Sequence, residues 1–305
     1  MQWEADFLHA LQSARNGFSD MFWGLVSYLG EEMFVVAVMM FVYWCVDKRK
    51  GFKFINIYFI SVAIVAGLKV LVHRVRPFNA YGDDGYVQSI GEKSSDYCFP
   101  SGHTNSISTL STLTVKEFPR ARKFTLPICI VLVLLVMFSR MYLGQHYPTD
   151  VLAGACTGIV IVLGLSFLYD LLKDKEEYIA VVLVPLAVIA SVFIGIFGKG
   201  ESLETALTLT GIVTSAYIGY FIEKRLVKLN VHASLWQQAV KYVLGASVAG
   251  LLYFALGRLF EGDTTMWLYG YIRYFIIGAW LLLGAPALFK LLGLEKKDRK
   301  VRDNV

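Results

Sequence analysis

Long apolar runs, broken by short polar connections, dominate the pattern of hydrophobic and polar positions along this chain of 305 residues. A helix that crosses a bilayer needs about 20 mainly apolar residues. Nine runs reach or approach that length, so the pattern predicts an all-α integral membrane protein. The predicted spans are residues 31–46, 53–73, 103–118, 123–142, 147–172, 178–198, 203–223, 236–259 and 265–292.

The first 30 residues differ from these runs because polar and aromatic side chains are mixed in them. Such a mixture is typical of an amphipathic helix that lies at the membrane interface. Residues 1–30 are therefore predicted to form an amphipathic, interfacial N-terminal segment. A further span within residues 5–28 is the alternative that the sequence leaves open.

The composition supports a membrane protein, because 56% of the residues are hydrophobic and only 17% are charged. A soluble domain carries about 25% charged residues. The formal net charge of +5 is divided among short basic clusters, which does not favour nucleic-acid binding. The clusters occupy alternate connections, for example residues 47–53 and 116–123. Basic connections face the cytoplasm by the positive-inside rule, so the intervening connections are predicted to be extracytoplasmic.

The first polar motif is "KVLVHRVRP", residues 69–77, at the outer end of the second predicted span. Lys69 and Arg76 are two helical turns apart, so they project from one helix face. His73 and Arg74 are not on that face and are predicted to meet lipid headgroups. Basic residues near the end of a span often reach the headgroups in this way, and the same interpretation is open for Lys69 and Arg76.

The second motif is "PSGH", residues 100–103, at the start of the third predicted span. A helix start exposes unpaired backbone N–H groups at the positive end of the helix dipole, which suits a phosphate-like anion. Ser101 and Gly102 supply this start, and His103 adds a group that can donate a proton near neutral pH. An ordinary helix cap beside a chance histidine is the alternative interpretation.

The third motif is "SRMYLGQHYPTD", residues 139–150, between two apolar runs. The guanidinium of Arg140 suits a phosphate group. His146 and Asp150 are four residues apart, so Asp150 is predicted to reach one imidazole nitrogen and leave the other free to attack. A buried ion pair between two helix ends is the alternative.

The three motifs together favour a phosphoryl-transfer site. Cations, two histidines, an aspartate and a helix start are all predicted on one side of one membrane, where charged groups are costly and usually functional. In such a site cations neutralise the phosphoryl oxygens, one histidine attacks phosphorus, and another protonates the leaving oxygen.

In chain order, K-x6-RP, PSGH and SR-x5-H-x3-D resemble the three-part signature of the type 2 phosphatidic acid phosphatase (PAP2) superfamily. The resemblance implies a six-helix PAP2-type transmembrane core, to which this chain adds about three C-terminal transmembrane helices. The residues that carry the match are Lys69, Arg76, Pro77, Pro100, Ser101, Gly102, His103, Ser139, Arg140, His146 and Asp150.

The resemblance also implies the chemistry of the site: a metal-independent phosphatase that uses no cofactor. His146 would be the nucleophile that forms a phosphohistidine, with Asp150 as its orienting partner. His103 would be the general acid and then the base that activates water. The phosphoryl oxygens would be held by Lys69, Arg76, Ser101, Gly102 and Arg140.

The expected organisation follows from the spans and the resemblance. The core would occupy residues 31–198, after the interfacial segment of residues 1–30. Additional transmembrane helices would occupy residues 199–293, and residues 294–305 would form a basic cytoplasmic tail.

Residues outside the motifs also carry predictions. The four cysteines are too scattered for a metal or redox motif and are predicted to be packing residues without disulfides. Lys241 and Arg273 lie within C-terminal apolar runs, where they would line a substrate path or pair with a carboxylate, and Arg273 could reach the headgroups instead.

The predicted function is hydrolysis of a lipid phosphomonoester or lipid pyrophosphate at the extracytoplasmic face. The charge pattern fits a multi-pass protein of a bacterial plasma membrane, whose partners are the lipid substrate and membrane lipids. A lipid phosphotransferase and a non-catalytic lipid-phosphate binding or transport protein are the alternatives. The substrate stays open among undecaprenyl diphosphate, phosphatidic acid, phosphatidylglycerol phosphate and a sphingoid phosphate. The oligomeric state also stays open.

Overall fold

The computed structural model describes residues 2–82, 85–91, 94, 96–172, 200–259 and 267–296, together with isolated positions between 175 and 189. Every regular element in these ranges is helical, as the apolar pattern predicts. The chain divides into two units, which are described separately. Unit 1 comprises Met1–Val38 and Phe54–Leu171, and unit 2 comprises Met39–Lys53 and Leu172–Val305.

Unit 1 contains the three polar motifs and most of the helices before residue 173. Two short 3-10 turns, Tyr28–Gly30 and Pro119–Ala121, join some of them. Helices α3 and α4 also extend into unit 2. The helices are α1 (Gln2–Gln12), α2 (Gly17–Ser27), α3 (Glu32–Phe41), α4 (Lys48–Val72), α5 (Pro77–Ala80), α6 (Gly102–Glu117), α7 (Arg122–Tyr142) and α8 (Pro148–Leu172).

Five helical segments in the described residues are long and apolar enough to cross a membrane. A sixth is obtained if Gly17–Gly30 and Glu32–Val46, which meet at a 51° bend, are counted as one span. The predicted span 178–198 lies mostly outside the described residues. The count of six core helices plus three is therefore not confirmed. The five segments are Lys48–Ala80, Pro119–Tyr142, Pro148–Leu172, Leu235–Leu259 and Tyr269–Leu291.

Helix α6 is not among these segments, although residues 103–118 were predicted to span. It has only 16 residues and is rich in serine and threonine. Most of these side chains are buried, and Asn105 accepts a hydrogen bond from Ser61 of α4 at 2.9 Å. A Cβ atom added to Gly154 of α8 would lie 2.5 Å from the main-chain oxygen of Ser101. Helix α8 can therefore pack directly against the start of α6 only because this position is glycine.

The N-terminal helix α1 packs on protein with its apolar face. Ala5 and Leu8 are fully buried in a cluster with Val87, Cys98 and Tyr147. The amide of Gln12 adds hydrogen bonds to both main-chain groups of Gln88. Helix α1 is thereby attached to the loop before α6 and to the start of α8.

Unit 2 contains α9 (Gly200–Ile222), α10 (Leu235–Leu259), α11 (Trp267–Ala279) and α12 (Ala285–Leu291). Three π-helical turns, Val42–Val46, Glu223–Val227 and Trp280–Gly284, interrupt or end its helices. A π turn leaves main-chain carbonyls without their usual helical partners. Side chains use some of them, since Tyr43 donates to the oxygen of Leu282 at 3.0 Å.

The two cations noted in the C-terminal runs have internal partners. Lys241 is fully buried and donates to the main-chain oxygens of Trp44 and Val231, at 3.0 and 2.8 Å. Arg273 donates to the main-chain oxygen of Tyr253 and lies over the ring of that residue. Main-chain carbonyls, and not the predicted carboxylates, therefore provide their hydrogen bonds among the described residues. Most of the predicted tail, residues 297–305, lies outside those residues.

Candidate active site

The fold brings the three motifs together at the ends of α4, α6, α7 and α8. Arg76, from the first motif, donates through Nη1 to the main-chain oxygen of Gln145 at 3.1 Å and lies 3.3 Å from Nε2 of His146. The main-chain N–H of Ser101, from the second motif, donates to the main-chain oxygen of Asp150 at 3.0 Å. Direct hydrogen bonds therefore connect the first and the second motif to the third.

His146 is almost fully buried, and its ring is held through Nδ1, which lies 2.9 Å from the main-chain oxygen of Cys98. A carbonyl oxygen can only accept, so Nδ1 carries the proton. The lone pair of the neutral ring is then on Nε2, the nitrogen that faces Arg76. The backbone of Cys98 therefore selects the tautomer with a nucleophilic Nε2.

The surroundings of His146 also determine its charge. Burial lowers the pKa of His146 well below its usual range, and the nearby charges of Arg76, Arg140 and Lys69 lower it further. A neutral imidazole is therefore the form present near pH 7, which is the form that can attack phosphorus.

Asp150 does not contact the imidazole as predicted. Its Oδ2 atom lies 3.7 Å from Nδ1 of His146, too far for a hydrogen bond, and accepts instead from the main-chain N–H of Tyr147 at 2.8 Å. The reason is that α8 begins at Pro148, after His146, so the two residues do not have helical i, i+4 geometry. Asp150 instead caps the start of α8 and fixes the turn that carries His146.

Arg74 was predicted to meet headgroups, and this prediction is wrong. Its guanidinium pairs with Asp150 through Nη1 and with Glu4 of α1 through Nη2. Its main-chain oxygen accepts from the N–H of Cys98 at 3.0 Å. His73 has a positive φ of 52°, which ends α4 and turns the chain so that Arg74 points into the protein. Arg74 thereby supports both groups that position His146.

Glu4 is a member of this network that the sequence does not reveal. Its side chain has no solvent exposure, and its second carboxylate oxygen accepts from the hydroxyl of Thr149 at 2.6 Å. Glu4 is separated from Arg74 and Thr149 by 70 and 145 positions along the chain. A single acidic residue in an amphipathic helix carries no signal of such distant partners.

His103 lies at the start of α6 and contacts Glu31. Its Nε2 atom is 3.0 Å from Oε1 of that residue. A Cβ atom added to Gly30 would lie 2.8 Å from the Cβ of His103, so glycine allows the chain before α3 to approach the start of α6. Glu31 is therefore a partner of the proposed general acid.

The predicted phosphate-binding cations surround the third motif but do not all have protein anions as partners. Lys69 and Arg76 both pair with Asp96 in the loop before α6. Arg140 is nine-tenths buried and donates through Nη1 to the hydroxyl of Ser27 at 2.7 Å. Its Nε has no hydrogen-bond partner among the described residues. A buried guanidinium N–H without an acceptor indicates a place for a further anion.

The second motif provides the helix start that the sequence predicts. Ser101 is the N-cap of α6, and its hydroxyl oxygen accepts from the main-chain N–H of Thr104 at 3.5 Å. Gly102 is the first residue of the helix, and a Cβ atom there would lie 4.0 Å from Nζ of Lys69. The positive end of α6 is thus beside a cation. No group of three or more His, Cys, Asp or Glu side chains with a metal-binding arrangement is found in the described ranges.

Two family models match this chain. Residues 50–174 match the PAP2 superfamily, and residues 207–297 match the transmembrane extension of PAP2 superfamily phosphatases. The first match contains all three motifs. The second covers much of unit 2, whose apolar helices have no comparable short motif.

Three curated relatives of this chain are lipid phosphatases by name. The chain is 25% identical to a probable sphingosine-1-phosphate phosphatase of Dictyostelium discoideum, over 75% of this chain and 58% of that protein. It is 29% identical to the lipid A 4'-phosphatase of Porphyromonas gingivalis, over 41% of this chain and 55% of that protein. It is 30% identical to an undecaprenyl-diphosphatase of Bacillus subtilis, over 44% of this chain and 65% of that protein. The chain thus spans between about half and two thirds of the length of these relatives.

A solved structure is also similar. It is the crystal structure of a transmembrane PAP2-type phosphatidylglycerolphosphate phosphatase from Bacillus subtilis, with 21% sequence identity and a TM-score of 0.47, over 57% of this chain and 87% of that one. The two family matches, which together contain the three motifs and most of the C-terminal helices, confirm the resemblance drawn from the motifs: the chain belongs to the PAP2 superfamily, and its residues 207–297 match the transmembrane extension of PAP2 superfamily phosphatases.

Proposed function

We propose that this chain is a phosphatase that removes a terminal phosphoryl group from a lipid phosphomonoester or lipid pyrophosphate, through a phosphohistidine on His146. The observation that carries the proposal is the arrangement of that ring. Nδ1 donates a hydrogen bond to the Cys98 carbonyl, and Nε2 faces the cation Arg76. A protein that only binds phosphate has no need of a histidine held in one tautomer.

In the first step, Nε2 of His146 attacks phosphorus, the new P–N bond forms and the bond to the leaving oxygen breaks. Positive charge develops on the imidazole as this happens. The carbonyl of Cys98 stabilises that charge through the Nδ1 proton, and the carboxylate of Asp150 adds a weaker contribution from 3.7 Å. His103 gives its proton to the leaving oxygen. Burial and the charge of Arg140 lower the pKa of His103 to about 4, whereas the contact with Glu31 and the negative charge of a bound phosphoryl group favour the protonated ring that this transfer requires.

In the second step, water attacks phosphorus and His103 takes a proton from it. The P–N bond breaks, inorganic phosphate leaves, and His146 returns to the neutral form with its lone pair on Nε2. No net proton is stored in the protein over the two steps.

The positive groups around His146 supply the charge that the transferring phosphoryl group requires. Lys69, Arg76 and Arg140 neutralise its oxygens. The start of α6 adds the main-chain N–H of Gly102 and the hydroxyl of Ser101 as donors, because the main-chain N–H of Ser101 already donates to Asp150. The unpaired Nε of Arg140 fits this role because an incoming oxygen would complete its hydrogen bonding. Since the chain itself provides this charge, we propose catalysis without a metal ion.

The location of the site is part of the proposal. The basic connections lie on the opposite side of the spans from the three motifs. Basic connections face the cytoplasm by the positive-inside rule, which favours the extracytoplasmic face of a cell membrane for the motifs. A lipid substrate could then stay in the bilayer with its phosphate at the ends of α4, α6 and α8.

The direct test is phosphate release by the purified, detergent-solubilised chain from a panel of lipid monophosphates and diphosphates. We expect release from at least one of them, unchanged by EDTA. His146→Ala should show no release above background, whereas His232→Ala, an exposed histidine of unit 2, should match the unmodified chain. Hydrolysis by His146→Ala at a near-normal rate would refute the mechanism. If EDTA abolishes phosphate release and a divalent ion restores it, the proposal of metal independence is wrong.

A further inference from the structure

The phosphate-binding cations already hold an anion that belongs to the chain. The carboxylate of Asp96 pairs with both Lys69 and Arg76 and accepts a hydrogen bond from the hydroxyl of Ser94. Burial opposes ionisation of Asp96, but the charges of Lys69 and Arg76 outweigh it and hold its pKa far below the usual range. Asp96 is therefore fully ionised at neutral pH.

We propose that Asp96 is a specificity-determining residue: an internal ligand of the phosphate site, which a phosphoryl group must displace in order to bind. This inference rests on the proposed function, because it takes Lys69 and Arg76 to be the groups that bind phosphate.

The exposures within this cluster show which partner can leave. The side chain of Arg76 is 3% exposed and that of Lys69 is 15% exposed, whereas that of Asp96 is 40% exposed. The cations are thus fixed within the protein, and the carboxylate covers them from the solvent side. Rotation of the Asp96 side chain into solvent would uncover both cations.

The backbone around Asp96 is held independently of its carboxylate. Its main-chain oxygen accepts from Nε of Arg76 at 2.8 Å. The N–H of Cys98 donates to Arg74, and the ring of Tyr97 packs edge-on against the ring of His73. Displacement of the carboxylate therefore requires a side-chain rotation and leaves in place the Cys98 carbonyl that orients His146.

The chemistry of the competing anions explains the selectivity. A carboxylate has one negative charge and two oxygens, and Asp96 engages Lys69 and Arg76 while Nε of Arg140 stays unpaired. A terminal phosphoryl group has up to two negative charges and three free oxygens, so it can engage all three cations. A phosphodiester has only one charge and two free oxygens, which gives it no advantage over the carboxylate. Asp96 would therefore exclude the phosphodiester headgroups that surround the protein in a phospholipid membrane.

The test compares inhibition by two soluble anions, inorganic phosphate and dimethyl phosphate, in the detergent-solubilised full chain hydrolysing a soluble phosphomonoester. Asp96→Asn removes the competing charge, so we expect the inhibition constant of inorganic phosphate to fall about tenfold. Dimethyl phosphate should inhibit Asp96→Asn at concentrations that leave the unmodified chain unaffected. The matched control is Asp6→Asn, an exposed carboxylate on α1, which should change neither constant.

Asp96→Glu, which keeps the charge, should behave more like the unmodified chain than Asp96→Asn does. If both anions inhibit Asp96→Asn and the unmodified chain equally, the inference is wrong and the proposed function is unaffected. If Asp96→Asn does not fold, Asp96→Glu is compared with Asp96→Ser. Asp96→Glu keeps the competing charge and should therefore bind inorganic phosphate more weakly than Asp96→Ser. Equal binding by these two variants would overturn the inference. Absence of turnover and of phosphate binding in the unmodified chain would instead refute the proposed function.

Discussion

The ring of His146 depends on a main-chain atom and not on the side chain of its neighbour. The acceptor for Nδ1 is the carbonyl oxygen of Cys98, and every residue has such an oxygen. The thiol of Cys98 donates to the main-chain oxygen of Val75 and also lies within hydrogen-bonding reach of the Asp150 carboxylate. That carboxylate keeps its other partners, Arg74 and the N–H of Tyr147, without the thiol. The identity of residue 98 should therefore matter little for catalysis.

We predict that Cys98→Ala retains kcat within about threefold, because the alanine carbonyl can accept the same hydrogen bond. The loss of a small buried side chain should cost about 1 kcal/mol of stability. Steady-state phosphate release and a thermal unfolding curve measure the two quantities. A folded Cys98→Ala with less than one hundredth of the normal kcat would show that the thiol itself takes part.

These residues also show what the sequence could and could not predict at this scale. Spacing and side-chain type made His146, His103 and Arg76 candidates, because the proposed phosphoryl transfer requires particular side chains and these stand in short motifs. The contact of His146 with the Cys98 carbonyl was not predictable, since a backbone acceptor leaves no mark on residue identity. The pairing of Asp96 with Lys69 and Arg76 was not predictable for a related reason: it depends on how the loop before α6 folds against these two cations.

At the scale of elements, the starts and ends of helices decide which side chains meet. The prediction that Asp150 bonds to His146 assumed one continuous helix, and Pro148 begins α8 after the histidine. The prediction that Arg74 faces the headgroups assumed that α4 continues, whereas the left-handed conformation of His73 ends it. Hydrophobic periodicity located both helices but not the conformation of these junctions.

Helix α1 is the element whose importance the sequence understates. Its buried Glu4 holds Arg74 and Thr149, and Arg74 holds Asp150. Since none of these contacts involves Lys69, Arg76 or Arg140, the link should affect the position of His146 more than phosphate binding.

We predict that Glu4→Gln lowers kcat by about 10-fold to 100-fold, because small displacements of reacting groups have effects of this size. The inhibition constant of orthovanadate, a phosphate analogue, should stay within about threefold. The control is Asp6→Asn on the same helix, which should leave kcat unchanged. Equal losses of kcat and vanadate affinity would indicate general disruption of the site, and no loss of kcat would show that the link to α1 is dispensable.

At the scale of the whole molecule, the hydropathy pattern was sufficient for the class of protein. It predicted a helical membrane protein, and the family matches agree. It was insufficient for the number of spans, because helix α6 is short and buries hydroxyl-bearing side chains within unit 1. The C-terminal extension was recognisable as apolar helices, but such helices carry no residue pattern that indicates their role.

Membrane orientation can be tested with single cysteines in a chain whose four native cysteines are replaced. A cysteine at position 90, in the loop before α6, should react with a membrane-impermeant maleimide on intact cells. A cysteine at position 120, in the basic connection before α7, should react only after permeabilisation. The reverse pattern would put the site on the cytoplasmic side and refute the proposed location.

The most direct test of the account is to trap the phosphoryl group on the enzyme. The chain would be mixed with substrate labelled with ³²P in its terminal phosphate, quenched in alkali within milliseconds, and digested to identify the labelled peptide. We predict a label on His146 that is stable to alkali and lost in acid, as expected for a P–N bond, and absent from His146→Ala. Turnover without any such label on His146, or a label on another residue, would contradict the mechanism.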